Sequence, residues 1–178
     1  MADVLWAPWR LGFVQGTVSE EPGPEPEYEF LAGADRDCFL CQAVADRAPD
    51  AEKWRHVLTS SEHTIVVLNK YPYNNGHLLV APRRHVGDLT GLTSAERSEL
   101  MEEVTRMVER LRAALHPQGF NVGINLGSVA GAGLPGHLHI HIVPRWNGDT
   151  NFMPAVGGIK VIPQSLDALW DILYTPST

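Results

Sequence analysis

The chain has 178 residues, of which 44% are hydrophobic and 20% are charged, and its formal net charge is −7. A chain of this length most simply forms one domain with a substantial core. The negative charge argues against nonspecific nucleic-acid binding, because no excess of Lys and Arg is available to neutralise a phosphate backbone. The negative net charge does not exclude an anionic small substrate, which needs only a local positive potential.

The N-terminal segment, from Met1 to Arg10, has neither a basic start nor a continuous apolar run, so it does not resemble a signal peptide. No apolar run approaches the roughly 20 residues that span a bilayer. We therefore expect a cytoplasmic protein with no membrane partner. Residues 15–37 are rich in Glu, Pro and Gly and predict an exposed loop. The predicted organisation is an N-terminal arm and acidic loop over 1–37 and one domain over 38–178.

Strand and helix patterns follow in chain order. Apolar runs bounded by turn residues predict strands at 64–69, 77–83, 119–126, 137–143 and 159–162. Thr93 and Glu96 form a capping-box pattern, after which apolar residues keep helical spacing until Pro117. Ser165 is predicted to cap a last helix. Hairpin-linked strands outnumber the helices, which predicts an α+β fold with an antiparallel sheet.

Three histidines, His137, His139 and His141, alternate with apolar residues. Successive side chains on a strand point to opposite faces, so the three imidazoles are expected on one face. A glycine-rich loop over 127–136 precedes them, and its amides could cradle a phosphate. A neutral imidazole is a good nucleophile near pH 7. Together these features indicate covalent chemistry at a nucleotide phosphate.

Other interpretations of these residues stay open at this point. The alternating histidines could themselves hold a catalytic metal, although no carboxylate neighbours them, or they could be structural. Cys38 and Cys41, the only cysteines, have the spacing of a metal knuckle or a redox pair, or they are free buried thiols. Arg145 and Lys160 could bind distal phosphates or be solvated charges.

The His-x-His-x-His run, with Gly76-His77-x-Leu79 and Asn125-x-Gly127 before it, resembles the histidine triad (HIT) superfamily. The resemblance covers most of residues 38–146. It implies a HIT-like α+β fold with a five-stranded antiparallel sheet, one long helix and a C-terminal helix per subunit of a homodimer. The flanks, 5–10 and 149–152, are similar to the bacterial diadenosine tetraphosphate phosphorylase or hydrolase branch.

The activity implied by this resemblance is cleavage of a dinucleoside polyphosphate at its α-phosphate through a nucleotidyl-histidine intermediate. The implied nucleophile is His139, with His141 assisting the leaving group and His77 supporting the site. The implied substrate-binding residues are Asn69 for the ribose, Asn125 for the phosphate, and the loop glycines Gly131 and Gly133. Water as acceptor would make the enzyme a hydrolase, and phosphate would make it a phosphorylase. The alternatives are a purine nucleoside phosphoramidase and a non-catalytic nucleotide-binding module.

The sequence departs from the family at one place. Many members carry Gln or Ser three or four residues before the first triad histidine, where this chain has Gly133 and Leu134. Either the backbone amides of 131–133 replace that side-chain donor, or the leaving group is handled differently.

The resemblance also implies a metal site. In some members a Cys-x-x-Cys pair, a histidine after the second strand and the first triad histidine hold one zinc ion, and this chain has Cys38, Cys41, His85 and His137 at those positions. Two thiolates and two imidazoles suit tetrahedral zinc. With four protein ligands the zinc would be structural, and no organic cofactor is expected.

Overall fold

A computed structural model describes residues 3–6, 25–149 and 159–174 of the chain. Trp9 in the predicted arm, the centre of the acidic loop, and Thr150 to Phe152 in the C-terminal flank lie outside these residues. Of the loop that is described, Tyr28 forms an antiparallel bridge with Asp46.

Seven strands and four α-helices occur in the described residues. The strands are β1 (Asp3–Trp6), β2 (Val57–Ser60), β3 (Thr64–Leu68), β4 (Leu78–Pro82), β5 (Gly119–Ile124), β6 (Ile140–Arg145) and β7 (Ile159–Ile162). The helices are α1 (Phe39–Ala45), α2 (Ala51–Trp54), α3 (Ser94–Leu115) and α4 (Leu166–Leu173). None of the described helices combines the length and apolar character needed to cross a membrane.

Five strands form one antiparallel sheet in the order β2-β3-β4-β6-β5. This confirms the expected sheet. Strand β2 was not predicted, because its four residues are too short to show a period. The predicted strand at Ile159–Ile162 is confirmed, and it pairs in parallel with β1 outside the five-stranded sheet.

Helix α3 covers one face of the sheet and begins at the predicted capping box. The Thr93 hydroxyl accepts a hydrogen bond from the Glu96 amide, and the Glu96 carboxylate accepts one from the Thr93 amide. The apolar stripe of α3 packs on alternate residues of the central strands to form the main core. Helix α4 begins after Ser165, which caps it as predicted.

The opposite face of the sheet carries α1 and the candidate site. Leu40 and Val44 of α1 pack on Ile65, Val67 and Leu79, whose side chains point away from α3. Leu79 is also paired with His141 across β4 and β6. Directly opposite residues of paired strands share a face, so the triad lies on the α1 side of the sheet.

Candidate active site

The three triad histidines share one face, as their alternation predicts. The intervening Leu138, Ile140 and Ile142 are all buried in the main core on the α3 side. Strand β6 begins only at Ile140, so the predicted strand start at His137 was three residues too early. The segment before β6 is held instead by a hydrogen bond from the Leu138 amide to the carbonyl of Val86.

His139 is oriented by its own backbone. Its Nδ1 lies 2.8 Å from the carbonyl oxygen of His137, and the imidazole is only 7% exposed. A carbonyl oxygen can only accept, so the proton of a neutral His139 is on Nδ1. The lone pair is therefore on Nε2, which has no hydrogen-bond partner among the described residues. This is the tautomer that a nucleophilic imidazole requires.

His77 and His141 are joined by a hydrogen bond between His77 Nε2 and His141 Nδ1, 2.9 Å apart. The Tyr73 amide donates to His77 Nδ1 at 2.9 Å, so this nitrogen is an acceptor and the His77 proton is on Nε2. His77 therefore donates to His141 Nδ1. The remaining proton of neutral His141 must then be on its Nε2.

His141 Nε2 is buried and has no hydrogen-bond partner within the described residues. A buried donor without a partner is costly, and such a group in a native site calls for a functional explanation. Burial, followed by the neighbouring His139, lowers the pKa of His141 to about 4. His141 is accordingly neutral at pH 7 and offers an N–H donor beside His139, since the two ring centroids lie 4.9 Å apart.

Tyr73, which lies between β3 and β4, was not predicted from the sequence to belong to the site. Its ring stacks on His141 at 5.6 Å between centroids and lies 4.6 Å from the His77 ring, while its backbone amide fixes the His77 tautomer. Tyr73 precedes His77 by only four residues, in a turn that folds back on the strand. This short separation is the sequence feature that could have indicated its role.

Asn69 and Asn125, the predicted ribose and phosphate residues, occupy different positions around the triad. Asn69 follows β3; its carboxamide oxygen accepts from the Tyr71 amide, and its Nδ2 lies 3.2 Å from His77 Nδ1. Asn125 follows β5, whose last residue, Ile124, pairs with Ile140. Asn125 and His139 are thus the chain neighbours of two directly paired residues.

The glycine-rich loop has open space over its glycines. A Cβ added at Gly131 or Gly133 would meet no atom within 4 Å, and Gly131 has a left-handed φ of +87°. The amides of Gly131 and Ala132 already donate to carbonyls within the loop. The amide of Gly133 makes no hydrogen bond to the described residues, so it is the free donor among the three.

Cys38, Cys41, His85 and His137 lie together, although they come from α1 and its N-terminus, the end of β4 and the segment before β6. One ligand atom from each residue lies within 4.8 Å of the ligand atoms of the others. His137 Nδ1 is 3.2 Å from Cys38 Sγ and 3.5 Å from Cys41 Sγ, and His85 Nδ1 is 3.3 Å from Cys41 Sγ. The cluster thus joins α1 to the segment that carries His139.

This donor set fits zinc. With metal–ligand bonds of about 2.0 to 2.3 Å, the ligand atoms of a tetrahedral site lie about 3.3 to 3.8 Å apart, close to these distances. His137 Nε2 lies 2.7 Å from the Pro82 carbonyl and donates to it, which turns the Nδ1 lone pair toward the cysteines. Burial, the largest cause, lowers the pKa of His137 to about 4 and raises that of Cys41 to about 11. A cation here would stabilise the thiolate.

Comparison with known proteins identifies a family. The HIT domain family model matches residues 50–148, which is more than half of the chain. The AP-4-A phosphorylase of Mycobacterium tuberculosis is 37% identical over 163 residues, which cover 91% of this chain and 77% of that protein.

Solved structures show the same fold. A Zn-bound histidine triad family protein from Mycobacterium smegmatis aligns with a TM-score of 0.55 at 28% identity over 66% of this chain and 79% of that one. The diadenosine triphosphate hydrolase of Plasmodium falciparum aligns with a TM-score of 0.55 over 86% of this chain and 83% of that one. Because the identity to the P. falciparum protein is 18%, this similarity shows a shared fold only.

Proposed function

This chain belongs to the HIT domain family, and we propose that it cleaves dinucleoside polyphosphates at the α-phosphate through a nucleotidyl-His139 intermediate. The observation that carries the proposal is the hydrogen bond from His139 Nδ1 to the His137 carbonyl, which leaves Nε2 as a directed lone pair. A non-catalytic binding module would not need a nucleophile oriented in this way.

The reaction balances in two displacements. His139 Nε2 attacks the α-phosphorus, the bond to the bridging oxygen breaks, and the distal nucleotide leaves with that oxygen and its electron pair. An acceptor oxygen then attacks the same phosphorus and releases His139. For diadenosine tetraphosphate, the first step releases ATP; the second gives ADP when the acceptor is phosphate, or AMP when it is water.

The protonation state of His141 favours a reaction in which the leaving group is a polyphosphate rather than an amine. Its pKa of about 4 leaves it neutral at pH 7, so it can donate a hydrogen bond through Nε2 but does not supply an acidic proton. A nucleotide departs as an anion and needs only that hydrogen bond, whereas an amine leaving group needs a proton. This observation favours the dinucleotide reaction over the phosphoramidase alternative.

The oxygens of the reacting phosphate need further donors, because negative charge is spread over them in the transition state. We assign this role to the Gly133 amide, in the loop that precedes the triad, and to Asn125, which follows the last residue of β5. Gly131 leaves open space for the phosphate to approach. Asn69 is assigned to the ribose, for which its carboxamide has hydrogen-bonding capacity beyond its contacts with Tyr71 and His77.

Phosphate is the acceptor that we favour. The support is the M. tuberculosis relative, which is named an AP-4-A phosphorylase and aligns with 91% of this chain. The absence of the family's Gln or Ser donor at Gly133 and Leu134 sets this chain apart from members that use such a side chain.

The four-residue cluster is proposed to hold one structural zinc ion on Cys38, Cys41, His85 and His137. When bound, the ion would supply no chemistry to the reaction, because four protein ligands leave no open position. It would fix the backbone of His137, whose carbonyl orients His139. The Zn-bound M. smegmatis neighbour supports the choice of metal.

A homodimer is proposed through the outer edge of β5. This six-residue strand ends the sheet order, and within the described residues no strand pairs with its outer edge. Val122 within it and Leu126 after it are both exposed apolar residues. Long edges of this kind pair readily with another strand. Sedimentation should show a dimer at micromolar concentration, and Val122→Lys should shift it toward monomer.

Incubation with diadenosine tetraphosphate, with and without phosphate, tests the function. The expected products with phosphate are ADP and ATP, and none should form with His139→Ala. Formation of AMP and ATP irrespective of phosphate would reassign the enzyme as a hydrolase. Two molecules of ADP without phosphate, or unchanged turnover by His139→Ala, would overturn the mechanism.

A further inference from the structure

The face that carries the triad continues beyond His141. Val143 and Arg145 follow at the next two alternate positions of β6, and their partners on β5 are Asn121 and Gly119. Gly123 is the β5 partner of His141, and a Cβ there would meet nothing within 4 Å. The triad face of β6 therefore runs from His139 past His141 and Val143 to Arg145, and the β5 residue opposite His141 has no side chain.

This face ends in an open pocket of about 220 Å³, which we call the distal pocket. It is lined by Tyr73, Asn74, Asn121, Val143 and Arg145. This volume is below the roughly 300 to 1,000 Å³ of pockets that enclose a whole drug-sized ligand, so the pocket suits one end of an extended ligand. Tyr73 connects the pocket to the site, because the same ring stacks on His141.

The pocket lies at a suitable distance from the nucleophile. Alternate residues of a strand are about 6.6 to 6.8 Å apart, so Val143 and Arg145 lie about 13 to 20 Å along the strand from His139. The leaving nucleotide of a dinucleoside polyphosphate is an extended phosphate chain with a nucleoside at its far end. With the α-phosphate at His139 and the bridging oxygen near His141, that nucleoside would reach this part of the strand.

The charge in the pocket favours a nucleoside over a phosphate. Arg145 forms a bidentate ion pair with Asp149, through Nε to Oδ2 at 2.6 Å and Nη2 to Oδ1 at 2.8 Å. Its third nitrogen, Nη1, donates to Asn121 Oδ1 at 2.7 Å. The cation is thus neutralised and its planar guanidinium is fixed. A fixed guanidinium plane suits stacking on a flat ring better than a mobile charge does.

Polar groups suited to a nucleoside surround this plane. The Asn121 carboxamide nitrogen makes no hydrogen bond within the part of the chain that the structure describes, and Asn121 is exposed on β5. Tyr73 is 51% exposed and offers an aromatic surface. An aromatic ring, a guanidinium plane and an amide provide stacking and edge hydrogen bonds without net charge, which is what an uncharged base and ribose require.

We propose that the distal pocket binds the second nucleoside of the dinucleoside polyphosphate, the one that departs with the leaving group. This inference rests on the proposed function and deepens it. The pocket makes the enzyme selective for substrates with a nucleoside at both ends of the phosphate chain. Asn121 and Arg145 are thereby specificity residues, and neither touches the reacting phosphate.

The test compares two substrates with the same scissile bond, diadenosine tetraphosphate and adenosine 5′-tetraphosphate, which lacks the second nucleoside. Asn121→Ala should lower kcat/KM for the dinucleotide roughly fivefold to tenfold, the loss expected for one hydrogen bond. It should leave kcat/KM for adenosine 5′-tetraphosphate within about twofold. Arg145→Lys, which keeps the charge but loses the planar fork, should show the same selective loss.

Arg47→Lys is the matched control, because Arg47 forms an exposed ion pair with Glu29 and is as exposed as Arg145, at 45% against 43%. It should change neither substrate. Equal losses for both substrates in Asn121→Ala, or no loss for the dinucleotide, would overturn the distal pocket. Failure of the wild-type enzyme to cleave either substrate is a different result, which would overturn the proposed function and the subsite with it.

Discussion

His77 Nε2 lies 2.9 Å from His141 Nδ1, and His77 is the donor because its other nitrogen already accepts from the Tyr73 amide. One backbone amide thus sets two tautomers in succession. The result is an N–H on His141 Nε2, a buried group without a partner in the described residues. In the proposed reaction this N–H faces the oxygen that leaves.

Replacing His77 with Phe should retain the aromatic packing and remove the donor to His141. Because the His141 tautomer is then no longer fixed, kcat should fall by roughly tenfold to a hundredfold, the scale of loss from misplaced catalytic groups. His77→Gln, whose amide can donate, should recover part of the rate. His63→Phe is the control, because His63 is a partly exposed histidine in the turn between β2 and β3. Equal rates for the Phe and Gln variants would contradict the donor role.

The amide of Gly133 can be removed without adding a charge. Gly133→Pro deletes the N–H that is free in the loop, so kcat should fall by roughly a hundredfold if that amide stabilises the transition-state phosphate. Gly133→Ala keeps the amide and has space for its methyl group, so it should retain most of the activity. If the Ala and Pro variants behave alike, the amide is not a phosphate donor.

The pH dependence of stability should reflect His141. Its pKa is about 4 in the folded protein and 6.5 ordinarily, so between these values the unfolded chain binds a proton that the folded chain does not. Folding stability from this residue is therefore present above pH 6.5 and is lost as the pH falls toward 4, by on the order of 3 kcal/mol.

His141→Asn removes this titration and keeps an acceptor for His77. Thermal unfolding measured from pH 7 to pH 4 should show a smaller decrease in Tm for this variant than for the wild type, while His116→Asn should follow the wild type. A variant curve parallel to that of the wild type would show that His141 is not a neutral buried group.

The metal cluster should contribute stability, and only indirectly activity. Cys38→Ser or Cys41→Ser should lower both zinc content and Tm, since binding free energy at a structural site adds to folding free energy. The rate per folded molecule should fall less than in His139→Ala. Elemental analysis of purified protein decides between zinc and a pair of buried thiols: either no bound metal or full zinc in the serine variants would contradict the site.

The alternation of His137, His139 and His141 with apolar residues was sufficient to predict which face each side chain occupies, because burial of Leu138, Ile140 and Ile142 enforces it. It did not predict where β6 begins. Strand limits depend on partners far along the chain, and here pairing with β4 and β5 starts only at Ile140.

The contacts between elements were not visible in the sequence. The Tyr73 amide reaches His77 only because the turn after β3 folds back on β4, and no local pattern specifies that hydrogen bond. The ion pair between Arg145 and Asp149 could likewise not be predicted from the sequence. Arg145 was therefore compatible with either a phosphate ligand or a solvated charge. Val57–Ser60 was missed because a four-residue strand carries little periodic signal.

The most direct test of the account is to trap the covalent intermediate on His139. The wild-type enzyme, mixed with diadenosine tetraphosphate in phosphate-free buffer and quenched in base, where nucleotidyl-histidine survives, should yield a peptide carrying one AMP group. Peptide mass spectrometry should place that group on His139, and the modification should be absent from His139→Ala. Added phosphate should discharge it to ADP. Turnover at the wild-type rate with an unmodified His139, or the AMP group on a different residue, would contradict the proposed mechanism.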